Sequence, residues 1–174
     1  MNDLRTMVHF PIGDRLFNYR AAAIIIRDGH VLTCQEDDDE YIMLPGGRVE
    51  LGEASDAALA RELAEEVQAP AAIGRLVYTV ENFFGHNGNV VHELGAYYAV
   101  ELSDFPFGSG GVVREIEEDG HQLRFEWLPV TGDALQARGL NPPWMRDRLM
   151  RLPLTTEHLI ITEPSLLGRQ ESYA

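Results

Sequence analysis

Residues 47–69 contain a dense, regularly spaced set of acidic side chains that could bind a divalent cation. Gly47 ends a glycine turn, Glu53 follows it, and residues 61–66 read Arg-Glu-Leu-Ala-Glu-Glu. Hard cations such as Mg²⁺ prefer oxygen ligands of this kind, and they commonly assist phosphate chemistry. The segment therefore predicts a metal site that acts on a phosphate-containing substrate.

The acidic residues lie on a predicted helix. Ser55 is the expected N-cap, and the helix is expected to run to about residue 67 and to stop before Pro70. Three glutamates fall within an arc of about 100° on this helix: Glu62, Glu65 and Glu66. A separate apolar stripe is expected to pack on a sheet: Leu59, Leu63 and Val67. An exposed acidic helix is the alternative interpretation, but the full spacing is far more restrictive and favours a site. A cation bound there would also remove the repulsion between the carboxylates.

This segment resembles the Nudix box, whose pattern is G, five residues, E, seven residues, then R-E-U-x-E-E-x-G-U, with U an aliphatic residue. The matching positions are Gly47, Glu53, Arg61, Glu62, Leu63, Glu65 and Glu66. Gln68 stands where the pattern has glycine, and Ala69 replaces the last aliphatic residue. A left-handed helix end at Gln68 would cost about 1 kcal/mol relative to glycine, or else the helix ends differently at Pro70.

The resemblance implies an α+β fold, a Nudix-type α/β/α sandwich with a mixed sheet. A single domain is expected over residues 1–174, with a core at about 18–152 and a tail at 153–174. It also implies a pyrophosphohydrolase that uses Mg²⁺ or Mn²⁺ and water to cleave the diphosphate linkage of a small nucleotide derivative. A nucleoside di- or triphosphate and a nucleotide sugar such as ADP-ribose fit equally well.

The resemblance also assigns roles to individual residues. The implied metal ligands are Glu62, Glu65, Glu66 and the carbonyl of Gly47. Arg61 would orient a glutamate through a bidentate pair, and Glu53 would act behind the ligands or hold the metal through water. The general base is left open among Glu62, Glu65, Glu93 and a group in a later segment: Glu115, Glu117 and Glu118.

Two arginines flank the predicted pocket. Arg20 and Arg48 could bind substrate phosphate, and a structural ion pair is an equal alternative for Arg20. Several aromatic residues could stack on a base, but at strand spacing they are predicted to be core: Phe83, Phe84, Tyr97, Tyr98 and Trp127.

The remaining elements are mostly predicted strands. Strands are expected at 20–27, 30–35, 41–44, 72–84, 89–102 and 123–130, with an edge strand at 159–162 and a helix at 144–152. Asp28-Gly29 predicts a hairpin turn. The acidic run 36–40 is interpreted as a solvated loop, and the glycine-rich segment 108–120 as a mobile loop.

Composition limits the possible functions. The chain has 174 residues, 45% of them hydrophobic, and a net charge of −14, which disfavours binding to a nucleic acid polymer. No apolar run approaches the ~20 residues that span a membrane, and no secretory signal is expected, because the first residues lack a basic start followed by an apolar stretch. All basic residues are arginine, which excludes Schiff-base and P-loop chemistry. The single cysteine, Cys34, suits a reducing compartment, so a cytoplasmic location is expected.

Two other functions are weighed. A Nudix-fold module that senses a nucleotide without hydrolysing it would be expected to lack box glutamates, and none is missing. An isomerase on the same fold would need a reactive cysteine, whereas Cys34 lies on a predicted apolar strand. A homodimer is possible through an exposed strand or the tail.

Overall fold

The structure is a computed structural model that describes residues 6–108, 110–118 and 120–167. The strands are β1 (His9–Ile12), β2 (Arg15–Ile24), β3 (Ile26–Arg27), β4 (His30–Glu36), β5 (Ile42–Met43), β6 (Ala71–His86), β7 (Asn89–Leu102), β8 (Val112–Glu118), β9 (His121–Pro129), β10 (Leu140–Asn141) and β11 (Glu157–Thr162). The α-helices are α1 (Ser55–Glu62), α2 (Gly132–Ala137) and α3 (Met145–Arg148). A π-helical turn, Leu63–Val67, continues α1, and a 3₁₀ turn covers Pro164–Leu166. Together α1 and the π-helical turn form the box helix, residues 55–67.

The first sheet has the order β1-β2-β7-β6-β11. β6 and β7 form an antiparallel hairpin around Asn87-Gly88, whose φ values of 49° and 82° suit a tight turn. β2 pairs with β7 in parallel, and β11 pairs in parallel with β6 at the edge, as expected for an edge strand at the tail. Parallel and antiparallel pairs therefore coexist, which confirms the predicted mixed sheet.

The second sheet has the order β10-β5-β4-β9-β8, with β3 paired to β4. The turn Asp28-Gly29 joins β3 to β4, and both residues have positive φ, which confirms the predicted hairpin. The predicted strand 20–27 is divided between the sheets: β2 begins earlier, at Arg15, and the chain enters the second sheet after Ile25. The hydrophobic pattern of residues 20–27 could not show this division, because the residues on both sides of it are equally apolar.

Two core clusters show how the layers stack. One contains Leu59, Leu63 and Val67 of the box helix together with residues of both sheets. The other contains Leu135 of α2 and Met145 of α3, again with residues of both sheets. The strands thus lie between the box helix and the α2–α3 pair, and the α+β Nudix-type sandwich is confirmed. No helix among the described residues is long and apolar enough to cross a membrane.

Three local predictions need correction, and one short helix was not predicted. The predicted loop 108–120 contains strand β8, which pairs with β9; residues 109 and 119 lie outside the described residues. The predicted helix 144–152 is reduced to α3, and α2 was not predicted because it is short. Ala54, and not Ser55, occupies the N-cap position of α1. The Ser55 hydroxyl instead lies 2.7 Å from the Tyr98 hydroxyl, so a tertiary contact replaces the expected cap.

Candidate functional site

The loop before the box helix lies along β2 and fixes two glycines. The amide nitrogens of Ala21 and Ala23 donate to the carbonyls of Gly47 and Pro45, at 2.9 and 2.8 Å. Gly46 has a φ of 134°, and a Cβ there would stand 2.3 Å from the Ala21 carbonyl oxygen. Only glycine fits so close to a neighbouring backbone. Backbone hydrogen bonds therefore hold the turn against β2.

Gly47 makes room for the box helix. A Cβ at this position would lie 2.3 to 2.6 Å from the three carboxyl atoms of Glu62. The Glu62 carboxylate therefore rests directly on the glycine backbone. Two groups implied by the motif as metal ligands, the Gly47 main chain and Glu62, are adjacent in space.

Arg61 holds several box carboxylates together. Its Nε and Nη2 donate to the two oxygens of Glu53, at 3.0 and 2.9 Å, in the bidentate geometry expected from the motif. Its Nη1 donates to Glu62 at 2.6 Å and to Glu65 at 3.4 Å. Nη2 also donates to the Arg48 carbonyl at 3.2 Å. The pKa of Arg61 is raised, chiefly by the hydrogen bonds to Glu53, so the guanidinium stays charged and fixes these side chains.

Glu66 has a different environment. Its carboxylate accepts a hydrogen bond from the Gly46 amide nitrogen at 3.3 Å. Burial of this carboxyl group raises its pKa to about 8, with Glu62 and Glu118 adding to the rise and Arg20 opposing it. The residue keeps some exposed area, but its acid group is desolvated. A cation beside it would favour the ionised form and lower this pKa.

The predicted phosphate-binding arginines both have partners within the protein. Arg20 and Arg48 face each other in a backbone bridge, and the Arg20 Nη2 donates to the Leu44 carbonyl at 3.3 Å. Arg48 donates through Nε to the Asn18 side chain at 3.1 Å. Both therefore lie at the box loop, but each already holds part of it.

A buried polar row that the sequence analysis missed crosses three neighbouring strands of the first sheet. Asn18 on β2 donates through Nδ2 to Glu93 on β7 at 2.8 Å, and Glu93 lies opposite Asn82 on β6. All three residues are at most 8% exposed. The candidate base Glu93 is thus connected to Arg48 through Asn18. The sequence signal was weak: Asn18 precedes the predicted strand 20–27, and Asn82 and Glu93 each follow another polar residue in a predicted strand.

Comparison with known proteins identifies the family. The family model described as NUDIX domain matches residues 17–131. The chain belongs to the Nudix hydrolase family. No curated protein sequence matches it. Among solved structures, it is similar to an ADP-ribose pyrophosphatase from Streptococcus suis, with a TM-score of 0.56, 15% identity, and coverage of 82% of this chain and 98% of that one.

Two further structures have a similar fold. A MutT NUDIX hydrolase from Burkholderia pseudomallei has a TM-score of 0.56 and 23% identity, over 78% of this chain and 98% of that one. A UDP-X diphosphatase has a TM-score of 0.55 and 17% identity, over 82% of this chain and 66% of that one. The chain therefore spans less than two thirds of the diphosphatase. At these identities the similarity concerns the fold.

The other candidate bases of this Nudix chain lie on β8. Glu115 lies 3.6 Å from Arg124, and Glu117 is exposed. Glu118 is half-buried and close enough to raise the pKa of Glu66. Of these three glutamates, Glu118 is therefore the one beside the Nudix box.

The acidic loop 36–40 does not belong to the site. Among the described residues, Glu36, Asp37 and His121 are the one group of three ligand side chains whose atoms all lie within 4.8 Å of one another. His121 Nδ1 already pairs with Asp37 at 2.8 Å, and the Gln122 amide nitrogen donates to the same aspartate. That amide is the main reason why the pKa of Asp37 is lowered. The side chains of this cluster pair with one another and with a backbone amide at the protein surface, as expected for a solvated loop.

Most aromatic candidates pack elsewhere. Tyr97 and Trp127 are almost fully buried in the two cores, as predicted. Phe83 and Phe84 are half-buried and belong to neither core, so the core prediction is wrong for these two; Phe83 stacks on His92 with ring centroids 4.4 Å apart. Cys34 is buried, and burial raises its pKa, which does not suit the reactive thiol of an isomerase.

Proposed function

We propose that this protein is a metal-dependent pyrophosphohydrolase that cleaves the diphosphate linkage of a small nucleotide derivative. The observation that carries the proposal is the set of contacts of Arg61, which gathers Glu53, Glu62 and Glu65 at the glycine turn. Family membership in the Nudix hydrolases, which act on phosphoric anhydrides, supports the same reaction. The substrate is a nucleoside di- or triphosphate or a nucleotide sugar such as ADP-ribose; the folds of an ADP-ribose pyrophosphatase and of a MutT NUDIX hydrolase are equally similar to this one, so both groups stay in the proposal.

The donor set fits Mg²⁺ or Mn²⁺ because it consists of oxygen atoms: the carboxylates of Glu62, Glu65 and Glu66 and the Gly47 carbonyl. When bound, such an ion supplies charge neutralisation of the pyrophosphate and a lowered pKa for the attacking water. The raised pKa of Glu66 supports this assignment, since a cation would offset the cost of its buried charge.

The protein side chains have separate tasks in this proposal. Arg61 and Glu53 orient the ligand carboxylates without touching substrate, and Arg20 and Arg48 bind phosphate at the box loop. Glu62 or Glu65 accepts the proton of the attacking water directly, or Glu93 does so from the neighbouring strand. A single-domain organisation, a cytoplasmic location, the homodimer and the absence of polymer or membrane partners stay predictions.

The decisive experiment measures product release from nucleoside diphosphates, nucleoside triphosphates, nucleotide sugars and ADP-ribose, first with Mg²⁺ and then with Mn²⁺. Glu65→Gln and Glu66→Gln are the test variants, and Glu101→Gln, at an exposed position, is the control. Metal-dependent turnover that both test variants lose by at least about 100-fold, and that the control retains, supports the hydrolase. Nucleotide binding without turnover in the folded wild type would contradict it and favour the sensing module.

A further inference from the structure

The C-terminal end of the box helix has an unusual backbone. Gln68, which replaces the glycine of the Nudix pattern, is left-handed, with φ 52° and ψ 40°. Its amide nitrogen donates to the Leu63 carbonyl at 3.1 Å and closes the π-helical turn that contains Glu65 and Glu66. A side chain disfavours this conformation, so it persists only where neighbouring contacts hold it.

The Gln68 Nε2 donates to the Glu65 carbonyl at 3.4 Å, and Arg114 on β8 makes two further contacts. Its Nη1 donates to the Val67 carbonyl and, at 3.2 Å, to the Gln68 carbonyl. The guanidinium also lies over the Phe105 ring, 4.7 Å from its centroid, which fixes its position. The last carbonyls of a helix have no partners within the helix and carry partial negative charge, so a guanidinium is well suited to bind them.

We propose that Arg114 is a positioning residue for the metal site and compensates for the missing glycine at position 68. It acts through the carbonyls of Val67 and Gln68 by holding the π-helical turn that carries Glu65 and Glu66. This inference rests on the proposed function, because the ligand role of these glutamates is part of that proposal. Small displacements of ligand side chains reduce metal affinity, so a loosened turn weakens the site without removing any ligand.

The alternative is that Arg114 only anchors β8, and the chain contains a matched control for it. Arg27 also donates to two backbone carbonyls, those of Phe105 at 3.1 Å and Leu102 at 2.6 Å. Its guanidinium likewise lies over an aromatic ring, 5.4 Å from the centroid of Trp127. Arg27→Met therefore removes the same kinds of contact as Arg114→Met without touching the box helix. The two arginines share Phe105, which Arg27 contacts at the carbonyl and Arg114 at the ring.

The experiment compares the wild type, Arg114→Met, Arg27→Met, Gln68→Gly and the double variant Arg114→Met/Gln68→Gly. Amide hydrogen exchange over residues 63–69 is measured without metal, and Mn²⁺ binding is measured by the electron paramagnetic resonance of the free ion. We expect Arg114→Met to exchange about tenfold faster there and to bind Mn²⁺ several-fold more weakly. The double variant is expected to return to within about twofold of Gln68→Gly, because glycine adopts the left-handed conformation without help. Arg27→Met is expected to change neither quantity.

Each contrary result has a separate meaning. Unchanged exchange in Arg114→Met would overturn the inference whether or not the protein is a hydrolase. Faster exchange in Arg114→Met with unchanged Mn²⁺ affinity would show that Arg114 is only a structural anchor. Arg27→Met changing exchange and Mn²⁺ affinity as much as Arg114→Met does would show the same. If Gln68→Gly does not restore Mn²⁺ binding to Arg114→Met in the double variant, the inference that Arg114 compensates for the missing glycine is overturned. A wild type that binds no Mn²⁺ would overturn the proposed function and, with it, the role of Arg114 at a metal site.

Discussion

The buried acid group of Glu66 predicts an unusual dependence of stability on pH. Burial raises its pKa in the folded protein to about 8, against an ordinary value of 4.5. Between these values the unfolded chain has lost the proton that the folded protein keeps. The folded state therefore binds more protons, and the free energy of unfolding falls as the pH rises through this window. Below pH 4.5 the carboxyl group does not lower the free energy of unfolding, and above pH 8 it lowers it by the full amount.

The size of the effect follows from the pKa difference. Each pH unit within the window costs about 1.4 kcal/mol, so the interval from pH 5 to pH 8 costs at most about 4 kcal/mol. Relaxation around a buried charge reduces this, and we expect about 2 to 4 kcal/mol. Glu66→Gln removes the titrating group, so it should remove this part of the decrease in the free energy of unfolding with pH. Any loss of packing in the variant lowers the free energy of unfolding by the same amount at every pH.

The assay is urea unfolding of the metal-free protein, in EDTA, at each pH from 5 to 9. The difference in the free energy of unfolding between Glu66→Gln and the wild type should change in favour of the variant as the pH rises, and should level off above pH 8. Glu101→Gln, at an exposed position, should follow the wild type. Parallel curves for Glu66→Gln and the wild type would refute the reasoning, because the acid would then titrate as it does in water.

Three further predictions follow from the contacts of the site. Gly47→Ala should displace the flexible Glu62 carboxylate, lowering Mn²⁺ affinity at least about tenfold with little loss of stability. Gly46→Ala meets rigid backbone instead and should lower the free energy of unfolding by about 3 kcal/mol or more, measured by urea unfolding. Asn18→Leu removes the amide that donates to buried Glu93 and should cost about 2 to 3 kcal/mol, less when combined with Glu93→Met.

Each of these predictions has a contradicting result. Equal stability losses for the two glycine variants would show that the Glu62 side chain cannot move aside. Additive effects of the Asn18 and Glu93 substitutions would show that the buried hydrogen bond contributes little.

Local sequence was sufficient for the elements whose cause is local. The turn Asp28-Gly29 needs positive φ at both residues, and the hairpin forms there. The apolar stripe of the box helix packs on the sheet as its spacing predicts, and the helix reaches Val67. Glu62, Glu65 and Glu66 share one helix end because their spacing places them there once the helix forms.

Tertiary contacts decided what the spacing left open. Parallel pairing of β2 with β7 brings Asn18 beside Glu93, which lies 75 residues further along the chain. The segment around β8 has the glycines and charges of a loop, yet pairing with β9 makes it a strand and carries Arg114 to the end of the box helix. The sequence alone determined which acids form the Nudix box and which helix carries them. The tertiary structure decided which residues hold that helix, because strand pairing and helix capping depend on partners distant in the chain.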